Sequence, residues 1–202
     1  ITKPCNDNIL IATVNAHLRI KKLLDILYTN NSELAKSLYQ LNVLYNTSSS
    51  FAGTLDKNKL IQIMNIGLKK SLKFLFSSTL FVNEPKPRLV IHSSKPLSDE
   101  LIEKIKERML ENFKDYYEEL LTSTSVEDII VDANVEESNS VINVEALEYD
   151  SLFSCIEVGE NPFGAVEIVR NEEFTGEDVT CFQTVVKQVS LPLESAILYQ
   201  EI

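Results

Sequence analysis

The chain predicts an α+β domain, an antiparallel sheet flanked by helices and entered through one long helix. Two observations carry that prediction. The first is an apolar ladder, Ile20, Leu24, Leu27, Asn31, Leu34, Leu38, Leu41 and Tyr45, whose steps alternate four and three without a break. The second is a set of short β-type runs lying between two amphipathic stretches of helical period. The ladder has the heptad spacing of a two-stranded coiled coil, and Asn31 falls at an a position, where a buried amide sets register and strand number. The expected state is a parallel homodimer through residues 20–45.

In front of the ladder, Pro4 restrains Lys3 away from helix, and Asn6 or Asp7 can cap the helix that follows. Ile9, Leu10, Val14, His17 and Leu18 recur at helical spacing and run on into the heptads, so one long helix is expected, with its break near Gly53 to Asp56. Asp56 caps the next helix, which puts Leu60, Ile63, Met64, Gly67, Leu68, Ser71 and Leu72 on one face. Lys73 to Val82 and Arg88 to Ser93 read as a hairpin about the turn Asn83-Glu84-Pro85-Lys86-Pro87. From Ser98 to about Leu121, Leu101, Ile102, Ile105, Met109, Phe113, Tyr116 and Leu120 follow the 3.6 period. The β-like runs after it are Glu127 to Ala133, Val141 to Leu147, Ser151 to Val158 and Phe163 to Arg170, and Ile91, Ile130, Ile156 and Val166 are expected inside. Thr175 and Asp178 have capping-box spacing ahead of a last helix that Pro192 should kink or interrupt.

Composition narrows the function classes. Lys and Arg total 19 against 30 Asp and Glu, a formal charge of −11. That balance argues against nucleic acid and anionic membranes, which both need clustered cations. The apolar runs are too short and too interrupted for a membrane span, and no signal peptide opens the chain. Cys5, Cys155 and Cys181 are odd in number and lack metal-type spacing, which suits reduced thiols in the cytoplasm. Ile1 is not an initiator residue, so a longer protein is expected around this chain.

The closing segment, NPFGAVEIVRNEEFTGEDVTCFQTVVKQVSLPLESAILYQEI, resembles the end of a GAF domain through Gly164, Ala165, Val166, Phe174, Thr175, Asp178 and Ala196 to Tyr199. Ser195 and Pro192 depart from the family pattern. The opening, ITKPCNDNILIATVNAHLRIKKLLDIL, is similar to the last strand and helix of a response-regulator receiver domain, with Lys3 and Pro4 matching its Lys-Pro pair. The phosphoacceptor strands of such a domain are not in this chain, so Lys3 marks origin and is not a working site. Three segments follow from these resemblances: 1–19 as a receiver tail, 20–45 as a coiled-coil signalling linker and 46–202 as a GAF-like sensory domain with an exit helix.

The resemblance implies a non-enzymatic module of a two-component system, relaying the state of a receiver or ligand to an output domain. It also implies a pocket between the sheet and the 98–121 helix, for which Phe81, His92, Met109, Phe113, Tyr116 and Phe153 are the candidate lining residues. Cyclic nucleotides, haem, tetrapyrroles and small metabolites are the family's ligands, and nothing in the sequence names one, so the cofactor is left unknown. A branch of the family reduces free methionine sulfoxide through paired cysteines, and the spacing of Cys155 and Cys181 gives no such cue. Redox chemistry or tetrapyrrole attachment is the alternative role for either thiol, yet small buried hydrophobes are the simpler reading, since no base adjoins them. His92 in LVIHS can ligate haem or a metal, but a single histidine without partners makes no site. Asp99, Glu100, Glu103, Glu107 and Glu111 interleave with Lys104, Lys106 and Arg108, which reads as a solvated face of charge pairs.

Overall fold

A computed structural model describes residues 7–82, 86–117, 126–135, 141–143, 145, 148–159 and 161–200. Lys3, Pro4, Cys5, Asn6, the turn residues Asn83 to Pro85, Leu120 and Leu121 lie outside the described residues. The chain divides into two compact units, Ile1–Asn42 and Val43–Ile202.

Helix α1 spans Asp7–Phe51 and ends two residues before Gly53, where the polar run after Tyr45 leads to the expected break. Thr13, Thr29 and Ser50 each turn a hydroxyl back onto the carbonyl four residues earlier, so these poor helix formers are satisfied within the helix. In the second unit its last turns bury Val43, Thr47 and Phe51, a row at four-residue spacing.

Helix α2 (Lys57–Ser71) starts at Asp56, whose carboxylate accepts from the backbone N–H groups of Asn58 at 2.9 Å and Lys59 at 3.3 Å. Leu60, Ile61, Met64 and Leu68 form its buried stripe, joined by Gly67. A β-carbon at Gly67 would stand 2.6 Å from Thr47 Oγ1, so the glycine sets how closely α2 meets the last turns of α1.

Five strands form one sheet in the order β3-β2-β1-β5-β4, namely β1 (Phe76–Phe81), β2 (Arg88–Ser93), β3 (Ile130–Val135), β4 (Asp150–Val158) and β5 (Asn161–Arg170). Three pairings are antiparallel, but β3 runs parallel to β2, with Arg88 opposite Ile130 and Ile91 opposite Ala133. The wholly antiparallel sheet expected from sequence is corrected to a mixed one. The parallel step follows from the connection, because helix α3 (Asp99–Tyr116) crosses over between β2 and β3 where a tight turn would force the antiparallel sense. Ile130 is also corrected: it is 50% exposed at the start of an edge strand, while Ile91, Ile156 and Val166 are fully buried.

The expected strand from Val141 to Leu147 is replaced, among the described residues, by a single parallel bridge between Ile142 and Leu97. Helix α3 begins on Ser98, whose hydroxyl accepts from the Leu101 N–H at 3.3 Å. Helix α4 spans Gly176–Gln200 and continues through Pro192. The proline removes one backbone donor, yet Val189, Leu193 and Ala196 on either side are all fully buried, and that packing keeps the helix going.

The sheet is apolar on both faces. Phe81, Val90, Ile156, Val166 and Ile168 meet α2, α4 and the end of α1. Phe76, Leu80, Leu89, Ile91, Ala165 and Val169 meet α3. Gly164 admits no side chain, because a β-carbon there would lie 2.1 Å from the Leu80 carbonyl oxygen.

Gly67→Ala should destabilise the domain by about 1–3 kcal/mol despite alanine's better helix propensity, since overpacking against Thr47 outweighs it. Combining it with Thr47→Ala should recover most of that loss. Denaturant midpoints of the four variants in a double-mutant cycle measure the coupling.

Candidate functional site

The ladder of α1 lies open. Ile20, Leu24, Leu27, Leu34, Leu38, Leu41 and Tyr45 are between 48% and 71% exposed, and Asn31 is exposed with them. Within the second unit Tyr45 stands two residues from both Val43 and Thr47, about 200° of helix rotation from each, so Tyr45 points away from the face that those residues bury. Ile9, Ile11, Val14, Leu18, Leu23 and Ile26 are also exposed, off the ladder.

The six residues expected to line one pocket are divided by the sheet. Phe81 and His92 belong to the α2 face, as the strand registers require, with His92 paired to Ser77 and Phe81 to Arg88. Met109 and Phe113 are fully buried against the opposite face, where Phe153 packs as well. Tyr116 is 66% exposed and stacks on Phe153 with ring centres 5.7 Å apart. The period-2 alternation of β1 and β2 separates residues that sequence order had brought together.

Beneath α3 sits an ion pair that the sequence did not reveal. Arg108 Nη2 lies 2.8 Å from Glu167 Oε2, and Glu167, in the middle of β5, is 1% exposed. Arg108 therefore turns toward the sheet and not into a solvated charge row, whereas Lys104 with Glu100 and Lys106 with Glu103 form the expected charge pairs along the helix. Burial raises the Glu167 carboxyl above its ordinary value, and the Arg108 charge offsets part of that. A glutamate within the apolar run GAVEIV was the visible cue; its partner, 59 residues away, was not.

On the α2 face two adjoining cavities, of about 460 and 490 Å³, share Gln62 and His92 in their walls. In the first, Asn65 is 5% exposed and its Oδ1 accepts from the Ser77 hydroxyl at 3.1 Å. Its Nδ2 has no hydrogen-bond partner, and neither has His92 Nε2. Burial, then the charge of Lys69, lowers the His92 pKa from 6.5, so the imidazole is neutral at pH 7. The second cavity is bounded by Arg88, which lies over the Phe81 ring, donates to Asn58 Oδ1 at 2.8 Å and pairs with Asp132 at 3.3 Å. No sequence pattern marks Lys69, Asn65 and Gln62; their convergence with His92 depends on how the helix lies over β1 and β2.

The segment after β5 is tied together by its own polar groups. Asp178 accepts from the Thr175 N–H at 3.0 Å while its own N–H donates to Thr175 Oγ1 at 3.3 Å, the reciprocal cap expected of that spacing. Arg170 pairs with Asp178 at 2.9 Å and lies over the Phe174 ring, and the Phe174 N–H donates to Asp150 on β4. Burial, the largest single influence, pushes the Asp178 carboxyl up, but the Thr175 and Arg170 contacts together hold it below its ordinary 3.8. A depressed folded-state pKa stabilises the fold fully above the ordinary value and is lost as pH falls through the folded value. Asp178→Asn should therefore lower stability by about 1–3 kcal/mol at pH 7 and flatten its decline below about pH 4, as urea titrations across pH would show.

Cys155 packs on the α3 side of the sheet and Cys181 on the α4 side. Burial, and then the charge of Glu157, pushes the Cys155 thiol up to about 11. Its alkylation by iodoacetamide at pH 7 should run on the order of a hundredfold slower in the folded protein than in urea, read by mass mapping of the labelled peptides.

No protein-family model matches the chain, and no curated protein matches it significantly.

Proposed function

We propose that this chain is a non-enzymatic dimerisation and sensory module of a two-component response regulator, built on a GAF-like domain and working in the cytoplasm. The observation that carries this reading is the double use of α1. Its last turns bury Val43, Thr47 and Phe51, while the heptad face from Ile20 to Tyr45 stays in water. Each exposed leucine forgoes about 1.5–3 kcal/mol that burial against a second copy would supply. A parallel homodimer satisfies that face and places Asn31 against its twin, where amide pairing fixes the register.

Three further features support the reading. A sheet covered by α3 on one side and by α2 and α4 on the other suits a GAF-like domain. Gly164, Phe174, Thr175 and Asp178, which carry the resemblance, hold structural positions at a close backbone approach and a helix cap. The exposed apolar residues from Ile9 to Leu18 suit a helix that packs on an upstream receiver domain. In this scheme the receiver's state alters the packing of α1 against its twin, and α4 passes the change to a downstream output domain. Neither nucleic acid nor membrane enters it, and no described helix is long and apolar enough to cross a membrane.

A receptor for a small molecule is the second reading, favoured by the cavities beneath α2. Sulfoxide reduction by paired thiols is disfavoured, since Cys155 and Cys181 stand on opposite faces of the sheet.

Sedimentation velocity at tens of micromolar should give a dimer, and Leu27→Asp should give a folded monomer. Asn31→Leu should raise the melting temperature while loosening register or strand number. A monomeric parent chain would overturn the proposal.

A further inference from the structure

His92 stands in the wall shared by the two cavities beside α2, on the face of β2 that also carries Arg88 and Val90. The residue is half-buried, and its Nε2 is closed off from solvent with no hydrogen-bond partner. A neutral imidazole fits there, since one of its nitrogens carries no proton. An imidazolium carries N–H donors on both nitrogens, and the one at Nε2 finds no acceptor in this position. A charged donor held in the interior without a partner is costly, and the fold avoids that cost only by bringing the ring to water.

The polar groups around the ring do not supply the missing acceptor. Among the described residues, Lys69 on α2 and Arg88 on β2 are the cations in the walls beside it. Asp132 on β3 is the carboxylate, and it pairs with Arg88 at 3.3 Å. From β1 comes the Ser77 hydroxyl, which donates to Asn65 Oδ1 at 3.1 Å. We propose that His92 is an acid-sensitive latch on α2: a proton taken up by its ring opens the seam between α2 and β2 to water and loosens the last turns of α1.

The link to α1 is Gly67, which meets Thr47 so closely that no β-carbon fits between them. A shift of α2 is therefore felt by the row Val43, Thr47 and Phe51 that α1 buries. Neither a second copy nor an upstream receiver takes part, so the latch stands or falls apart from the relay reading. Burial, then the charge of Lys69, depresses the His92 pKa, so its contribution to stability is full above 6.5 and is lost as pH falls through the folded value. Glu167 acts in the opposite sense, because its raised carboxyl takes up a proton more readily in the folded chain. Asp178 acts only around and below its ordinary 3.8.

The test is a titration of the full chain from about pH 7.5 to about pH 5, with the His92 ring followed by NMR and the backbone amides by hydrogen exchange corrected for its intrinsic pH dependence. The ring is expected to titrate below 6.5. Exchange at Leu60, Met64 and Leu68 of α2, and at Thr47 and Phe51 of α1, should quicken by a factor approaching about tenfold for each unit of that separation. Ile105 and Met109 of α3, across the sheet, should not follow. His92→Gln and His92→Phe, which hold no titrating group there, should lack the acceleration. The proposal is overturned if the ring titrates at 6.5 or above, if α2 exchange does not respond to acid, if α3 quickens as much as α2, or if either folded variant responds as the parent does. Should neither variant fold, the ring titration and the exchange pattern of the unaltered chain decide.

Discussion

The structure turns on β1 being covered on both faces. A strand in the middle of the sheet, with β2 on one side and β5 on the other, has every residue from Phe76 to Phe81 buried. Its backbone groups are satisfied only by its neighbours, so register is set from both edges at once. Phe76 and Leu80 serve the α3 layer, and Phe81 serves the α2 layer. Because β1 supplies both layers, its alternation decides which helix residues can ever meet. Gly164 follows from the same constraint, since β5 lies so close to Leu80 that no side chain fits between them.

The polar residues of β1 show what a two-sided strand asks of its helices. Ser77, Ser78 and Thr79 are all fully buried. Ser77 is reached by Asn65, a side chain that α2 sends down between its leucines. Ser78 lies beside Glu167, where Arg108 descends from α3. The α2 layer therefore places a polar contact on β1 itself and the α3 layer places one on the adjoining β5, and such directional contacts fix helix position more narrowly than apolar packing does. The same contacts bring Asn65 and Arg108 inside, although Arg108 sits in what the sequence presents as a solvated row of charges.

What the sequence made legible is mostly local. The caps at Asp56 and Thr175 were visible because each is a hydrogen bond between residues two or three apart. The end of α1 and the pairing of β1 with β2 were visible because polar, glycine and proline punctuation marks both places in the sequence. Illegible were the matters that depend on long-range geometry. The parallel sense of β3 requires knowing where α3 delivers the chain, and the exposure of Ile130 requires knowing that β3 is an edge. Pro192 suggests a kink or an interruption in the last helix, and the interruption does not occur because propensity is outweighed by the buried Val189, Leu193 and Ala196 that surround it. The pocket residues were chosen by element order, and strand alternation, which the sequence does encode, would already have separated Phe81 and His92 from the α3 face.

The sheet also partitions the protein's sulfur chemistry. Cys155 packs in one layer and Cys181 in the other, with the strands between them. Neither thiol can reach the other without the sheet coming apart, so oxidation of the folded domain cannot staple these two together. Each is instead a native handle on its own layer. A probe that labels Cys181 under conditions where Cys155 stays silent reports loosening of α4 alone, and the reverse pattern reports α3. The domain thus carries its own pair of reporters for asking which side of the sheet moves when a signal arrives.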